Sequence, residues 1–326
     1  MRVKKKSKNR IFDFNIDIEN MLERPRVNQL FMNGLAHPLT VVHAPAGYGK
    51  TTAALQFAKN TKAQVVYMCL NELDQNPQYF WEHLSALYAR IFPLLGARMT
   101  QLGFPGSSGL FMQFIDLFQE YFTKKQHVLI IDDFHMAGRA NLEELLLKTA
   151  SLRLKGLHII ILSRVLPSIC NVDMKLKGLL AEINKEHLRF DLPELLAYCK
   201  LYDIQIGEAD AQKINQFTEG WASAVYVSSL YFRQNPDGLL HMAILDINRL
   251  IENTVYKGYD PEIREFLLKL SILDRFDMEI CAYLTGSKNS YNLLVRVLNE
   301  NSFIKISEDK QCFEMHRLFR DLLTLL

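Results

Sequence analysis

The sequence predicts an α/β protein: a parallel sheet covered by helices, then a small helical segment, then a unit of three helices and a hairpin. Three observations predict it. Short β-branched runs alternate with helix-period segments through the first half of the chain. After about residue 186 the strand signal fades and only helical periodicity remains. From about residue 246, helical stretches are followed by two short apolar runs flanking Glu308-Asp309-Lys310-Gln311.

The sheet strands are expected at Leu39–His43, Gln64–Met68, Val128–Asp132, Ile159–Ser163 and Leu179–Ile183. Between them, Phe80, Trp81, Leu84, Leu87, Tyr88, Ile91 and Phe92 form one apolar helical stripe, which Pro93 interrupts. Leu110, Phe114, Leu117, Phe118 and Tyr121 form a second, and these aromatics read as core. Asn141 with Glu144 has the form of a capping-box helix start. Segments 192–203, 208–217 and 221–234 read as three short helices. Helices near 260–272, 277–285 and 289–300 then lead into a hairpin pairing Phe303–Ser307 with Cys312–His316, which is the order of a winged helix. The expected domains are therefore 1–185 (with 1–20 as tail and lead-in helix), 186–245 and 246–326.

Bulk properties narrow the class. A chain of 326 residues can hold two or three units of roughly 100–200 residues each. With 49% hydrophobic and 23% charged residues the composition is that of a soluble globular protein, and a net charge of +2 excludes a field that demands nucleic acid or membrane. Cys69, Cys170, Cys199, Cys281 and Cys312 are odd in number and scattered, so they read as reduced thiols of a cytoplasmic protein. No apolar run approaches the length of a bilayer span, so no membrane partner is expected. The basic start Met1–Arg10 lacks an apolar signal core and reads as a solvated tail. The apolar end Asp321–Leu326 is expected to lie in a helix that a longer protein would continue.

The chemistry begins at Ala44-Pro45-Ala46-Gly47-Tyr48-Gly49-Lys50-Thr51-Thr52, between an expected strand and an expected helix (Thr52–Lys59). That is the context of a phosphate-binding loop, with Ala44 standing where the usual pattern has glycine. A triphosphate needs convergent backbone N–H groups, which a tight loop at Gly47 and Gly49 supplies, together with the positive end of a helix dipole. Lys50 can then reach the β- and γ-phosphates, and the Thr51 hydroxyl can ligate Mg²⁺. Pro45, Ala46, Gly47, Tyr48, Gly49 and Thr52 complete the nucleotide-binding run.

His127-Val128-Leu129-Ile130-Ile131-Asp132-Asp133-Phe134-His135 is an apolar strand ending in two carboxylates, and ligands sit at the carboxyl ends of parallel strands. Asp132 suits the Mg²⁺ shell, and Asp133 suits orienting or deprotonating an attacking water. The strand expected between the two motifs favours hydrolysis or switching over phosphoryl transfer. Arg164, after Ile159–Ser163, is on the residues alone equally a γ-phosphate contact or a surface arginine at a strand end. Read alone, His316 is a structural histidine at a strand end.

Taken in order, these motifs resemble the MalT-like regulators of the LuxR class, among the signal-transduction ATPases with numerous domains. The resemblance rests on Leu22-Glu23-Arg24-Pro25-Arg26, the run 44–52, Asp132-Asp133-Phe134-His135, Ser163-Arg164, Thr218-Glu219-Gly220-Trp221-Ala222 and Phe313-Glu314-Met315-His316-Arg317-Leu318-Phe319. It implies a P-loop NTPase domain, a helical domain and a winged helix closing over ADP. His316 would then hold the β-phosphate, and Arg24 would lie near adenine or ribose. Gly220-Trp221 resembles a Gly-Leu-Pro-Leu-type corner without its proline, which fits Trp221 for packing.

The resemblance implies a regulatory ATPase: ADP closes it, while ATP with an inducer molecule or protein opens it for self-association, and slow hydrolysis with Lys50 and Asp133 resets it. Family members carry a helical-repeat sensor and a helix-turn-helix beyond this region; neither is visible here, so DNA binding is expected only through such domains. The alternative is a P-loop kinase or metabolic NTPase, which needs a basic lid; residues 165–180 offer only Lys175 and Lys177. A DNA-binding winged helix would use about 289–300, which offers Arg296 and little else basic.

Overall fold

The structure is a computed structural model describing residues 10–12, 21–122, 126–137, 139–234, 241–287, 289–300, 303–307 and 312–326. Most of the basic start and the hairpin turn at Glu308–Gln311 lie outside those residues. Two compact units emerge: residues up to His43 with Lys50–Asn184, and Ala44–Gly49 with Lys185–Leu326.

The first unit is a six-stranded parallel sheet in the order β1-β3-β4-β5-β2-β6. Its strands are β1 (Arg10–Phe12), β2 (Leu39–His43), β3 (Gln64–Cys69), β4 (His127–Asp132), β5 (Leu157–Ser163) and β6 (Leu180–Ile183). Every residue of β4 is buried, so its unbroken apolar run serves both faces of the sheet. The helices are α1 (Pro25–Gly34), α2 (Lys50–Asn60), α3 (Pro77–Ala89), α4 (Pro93–Leu102), α5 (Ser108–Phe122), α6 (Arg139–Ser151) and α7 (Val172–Leu176). The two aromatic stripes are core, as expected, and they meet: Phe114 packs edge-on against Trp81 at 5.2 Å, and Phe118 against Tyr88 at 5.5 Å.

Several details differ from the sequence reading. Pro93 does more than interrupt a stripe; it occupies the first turn of α4, where its missing N–H costs nothing. Helix α6 begins at Arg139, so Asn141 and Glu144 lie inside it and form no capping box. Strand β1, too short to show periodicity, adds an edge beside β3.

The second unit holds α8 (Lys185–Leu188), α9 (Leu192–Leu201), α10 (Glu208–Thr218), α11 (Ala222–Gln234), α12 (His241–Thr254), α13 (Pro261–Leu270), α14 (Met278–Thr285), α15 (Ser290–Glu300) and α16 (Arg317–Leu323). A small antiparallel sheet runs β7 (Arg275–Phe276), β9 (Phe313–Met315), β8 (Ile304–Ile306). Helices α13 to α15 followed by the β8–β9 pair are the expected winged helix. Asp191 and Glu194 make the capping box that starts α9, and Asp260 and Asp277 cap α13 and α14. The final helix ends at Leu323, before the chain does. Helix α12 was not anticipated.

Candidate functional site

The sheet brings the expected acidic residues and the lysine to one rim. In register, Cys69 pairs with Asp132 and His43 with Ser163, so β2, β3, β4 and β5 end side by side. Helix α2 opens at Lys50, two residues before the expected start, so Lys50, Thr51 and Thr52 form its first turn. The Thr51 hydroxyl donates to Asp132 Oδ2 at 2.6 Å. Tyr67 donates its hydroxyl to the same oxygen, and Asp132 Oδ1 accepts the Asp133 N–H at 2.7 Å. Burial first, and then the Asp132 charge, push the Tyr67 phenol up, so it stays a donor. Asp132, only 3% exposed, is thus held by three donors.

Asp133 is partly exposed and left-handed, at φ 51°. A non-glycine residue in that region stores strain of about 1–3 kcal/mol, and such strain gathers at functional positions. Cys69 Sγ lies 3.8 Å from one of its carboxylate oxygens and His135 Nδ1 3.7 Å from the other.

Lys50 is 8% exposed. Burial pulls its ammonium down to about 8; Asp132 and Asp133 oppose this, and Arg164 adds to it. A buried cation among these groups is better balanced by a further anion, which is what a phosphate supplies. Arg164 itself is exposed, just past β5 and near enough to be felt by Lys50. Arg24 is buried at the entrance of α1 and its carbonyl accepts the Asn28 N–H.

The oxygen donors suit Mg²⁺. Among the described residues no cluster of three or more His, Cys, Asp or Glu could hold a metal alone. A hydroxyl and one carboxylate, completed by phosphate oxygens and water, is the shell a small hard cation accepts.

The loop residues Ala44–Gly49 pack within the second unit. Ala46 O accepts the Trp221 indole N–H at 3.1 Å, and Gly47 O accepts the Ser223 N–H at 3.0 Å and hydroxyl at 3.2 Å. Gly47 and Gly49 both sit at φ 78°, the left-handed geometry that a β-carbon disfavours. The Tyr48 ring is buried 6.5 Å from Trp221, and burial pushes its phenol up to about 12. Pro45 is buried.

The corner Thr218-Glu219-Gly220 aims Trp221 at the loop. Glu219 and Gly220 are left-handed in succession, at φ 47° and 71°. Trp221 N–H returns to Thr218 O at 2.9 Å, which starts α11 in a new direction. Trp221 also meets Phe303 edge-on at 5.5 Å, and Phe303 meets His316 at 5.4 Å. His316 caps α16: its Nδ1 accepts the Leu318 N–H at 3.2 Å, which leaves the ring proton of a neutral imidazole on Nε2, 3.7 Å from Glu219 Oε1.

Sequence reasoning missed three partners. Tyr67 was hidden in a buried strand, and Ser223 in a helix start without a motif. Glu219 was quoted within a motif, but its reach to both His316 and Arg189 is a product of the fold.

Comparison with known proteins agrees with this architecture. Residues 36–163 match the AAA domain family, and residues 251–325 match the MalT winged helix domain. Serine/threonine-protein kinase PknK of Mycobacterium tuberculosis is 26% identical over 93% of this chain and 28% of its own length. The HTH-type transcriptional regulator MalT of Vibrio cholerae is 24% identical over 94% of this chain and 35% of its own. The chain therefore spans about a third of the length of these curated relatives. Among solved structures, the Walker-type ATPase of Pyrococcus abyssi superposes with a TM-score of 0.68 at 14% identity, covering 96% of this chain and 99% of that one. A signal-transduction ATPase with a tetratricopeptide repeat sensor from Pyrococcus horikoshii gives 0.53 at 18% identity, over 96% of this chain and 44% of that one. No helix among the described residues is long and apolar enough to cross a membrane.

Proposed function

Because this chain is MalT-like, with an AAA domain followed by a MalT winged helix domain, we propose that it is a nucleotide-gated regulatory switch, closed with ADP and open with ATP. One observation carries the reading: Thr51 and Asp132 are already bonded at 2.6 Å beside the buried Lys50. Thr51 and Asp132 would hold Mg²⁺, which neutralises phosphate charge when bound. Lys50 binds the β- and γ-phosphates, and the N–H groups from Ala46 to Gly49, in the run that Pro45 opens, cradle them. Arg164 reports the γ-phosphate, Arg24 borders the base or ribose, and His316 holds the β-phosphate of ADP. Asp133 orients the water for slow hydrolysis, which resets the switch.

Within this proposal an inducer acts through a sensor, the ATP form self-associates, and DNA contact belongs to other domains. The kinase alternative has little to draw on. Of the two lysines between residues 165 and 180, Lys175 is paired with Glu182 and Lys177 with Asp173. The deciding experiment is mass spectrometry of small molecules released on denaturing freshly purified protein. Stoichiometric ADP is expected; protein that is nucleotide-free, and stays so after incubation with Mg-ADP or Mg-ATP, overturns the reading.

A further inference from the structure

We propose that Trp221 and Ser223 are positioning residues for the phosphate loop, and that Trp221 passes the loop's state to His316 through Phe303. The inference rests on the nucleotide reading above. A peptide unit is planar and trans, so each C=O points opposite to the N–H of the next residue. The Trp221 indole holds the Ala46 carbonyl, and this fixes the direction of the Gly47 N–H. Ser223 holds the Gly47 carbonyl through both its backbone N–H and its hydroxyl, and this fixes the Tyr48 N–H. Those two amides belong to the cradle. Turning either peptide over would present an oxygen to the phosphate, so the donors on the far side set the loop in its anion-binding form.

The fit is close. A β-carbon on Gly47 would lie 2.4 Å from Ser223 Oγ and 2.8 Å from Trp221 Nε1. Trp221 and Phe303 are each 1% exposed, and Phe303 O also accepts the His316 N–H at 2.6 Å. A peptide rotation in the loop therefore displaces the indole, and the indole cannot move without disturbing Phe303 and the residue proposed to hold ADP.

Trp221→Phe keeps a ring against Phe303 and removes the donor; Ser223→Ala removes only the hydroxyl. Stopped-flow release of a fluorescent ADP analogue should be about three- to tenfold faster in Trp221→Phe, the loss of one hydrogen bond, and less affected in Ser223→Ala, whose backbone N–H still holds the Gly47 carbonyl. The chain has two tryptophans, so Trp81→Phe leaves Trp221 as sole reporter. Its emission should change on adding Mg-ADP and saturate at the concentrations that fill the site, a response that a tryptophan serving only to pack would not show. Wild-type uptake of ADP with unchanged release from Trp221→Phe, or with silent Trp221 emission, overturns this inference alone. A wild-type chain that takes up neither ADP nor ATP overturns the nucleotide reading and this inference with it.

Discussion

The Thr51 hydroxyl donates to Asp132 Oδ2 across 2.6 Å, joining oxygens 81 residues apart in sequence. Folding alone has assembled the two protein ligands expected for Mg²⁺. Asp132→Asn keeps the shape and removes the charge. Calorimetry should show Mg-ATP affinity falling about ten- to a hundredfold, toward the value in EDTA. An undiminished magnesium effect in the variant would remove Asp132 from the metal role.

Lys50→Ala removes the buried cation proposed to reach the phosphates. ADP binding should become undetectable by calorimetry up to millimolar concentrations. Wild-type affinity in this variant would refute the loop assignment.

His316 caps α16 and is proposed to hold ADP, and substitution can separate the two. Asparagine can still cap α16 through its side-chain oxygen, whereas alanine cannot. His316→Asn should melt near wild type yet release ADP several-fold faster. His316→Ala should do both, with about 1 kcal/mol of stability lost besides. Wild-type release from both variants would show that the histidine is a cap and nothing more.

Gly220 sits at φ 71°, and a β-carbon there would lie 2.4 Å from Phe190 O, whose own N–H donates back to Gly220 O at 2.8 Å. Neither backbone can yield without breaking that bond. Gly220→Ala should lose about 2–4 kcal/mol in urea unfolding. A loss under 0.5 kcal/mol would mean that the corner relaxes.

Acid should weaken the sheet unit through a histidine away from the candidate site. His158 Nδ1 donates to His37 O at 2.6 Å, and its Nε2 faces Thr40 Oγ1 at 3.1 Å. Burial pulls this imidazole down to about 4. The unfolded chain, with an ordinary histidine near 6.5, binds the proton first. Stability is therefore full above about pH 6.5 and is lost as pH falls toward 4, by about 3 kcal/mol at most. His158→Gln, which offers a donor and an acceptor but no charge, should flatten unfolding free energy over that window. An equally steep fall in the variant would place the acid sensitivity elsewhere.

The strands carrying the acids and the loop were legible because a parallel strand is buried on both faces. Val128–Ile131 and Ile159–Leu162 are apolar without interruption, and their ends stood out by charge. Motif order assigned Thr51 and Asp132 to one metal shell, but their direct hydrogen bond appears only in the fold. What stayed hidden depended on contacts remote in sequence. Nothing around Ser223 announces that it will meet Gly47, 176 residues away. Tyr67 reads as one more aromatic in a strand until its hydroxyl is found on Asp132. Asn141 misled for the opposite reason: its local pattern was right, but α6 had already begun at Arg139.

The loop that follows β2 finds its backbone donors in α11 and the residue before it, and this bears on how the polypeptide can be divided. A fragment ending at Asn184 would keep the sheet, Lys50 and both aspartates. It would also leave the Ala46 and Gly47 carbonyls to solvent, free to turn inward. Such a truncated piece should look well folded by circular dichroism and yet be a poor guide to how the intact chain grips its ligand.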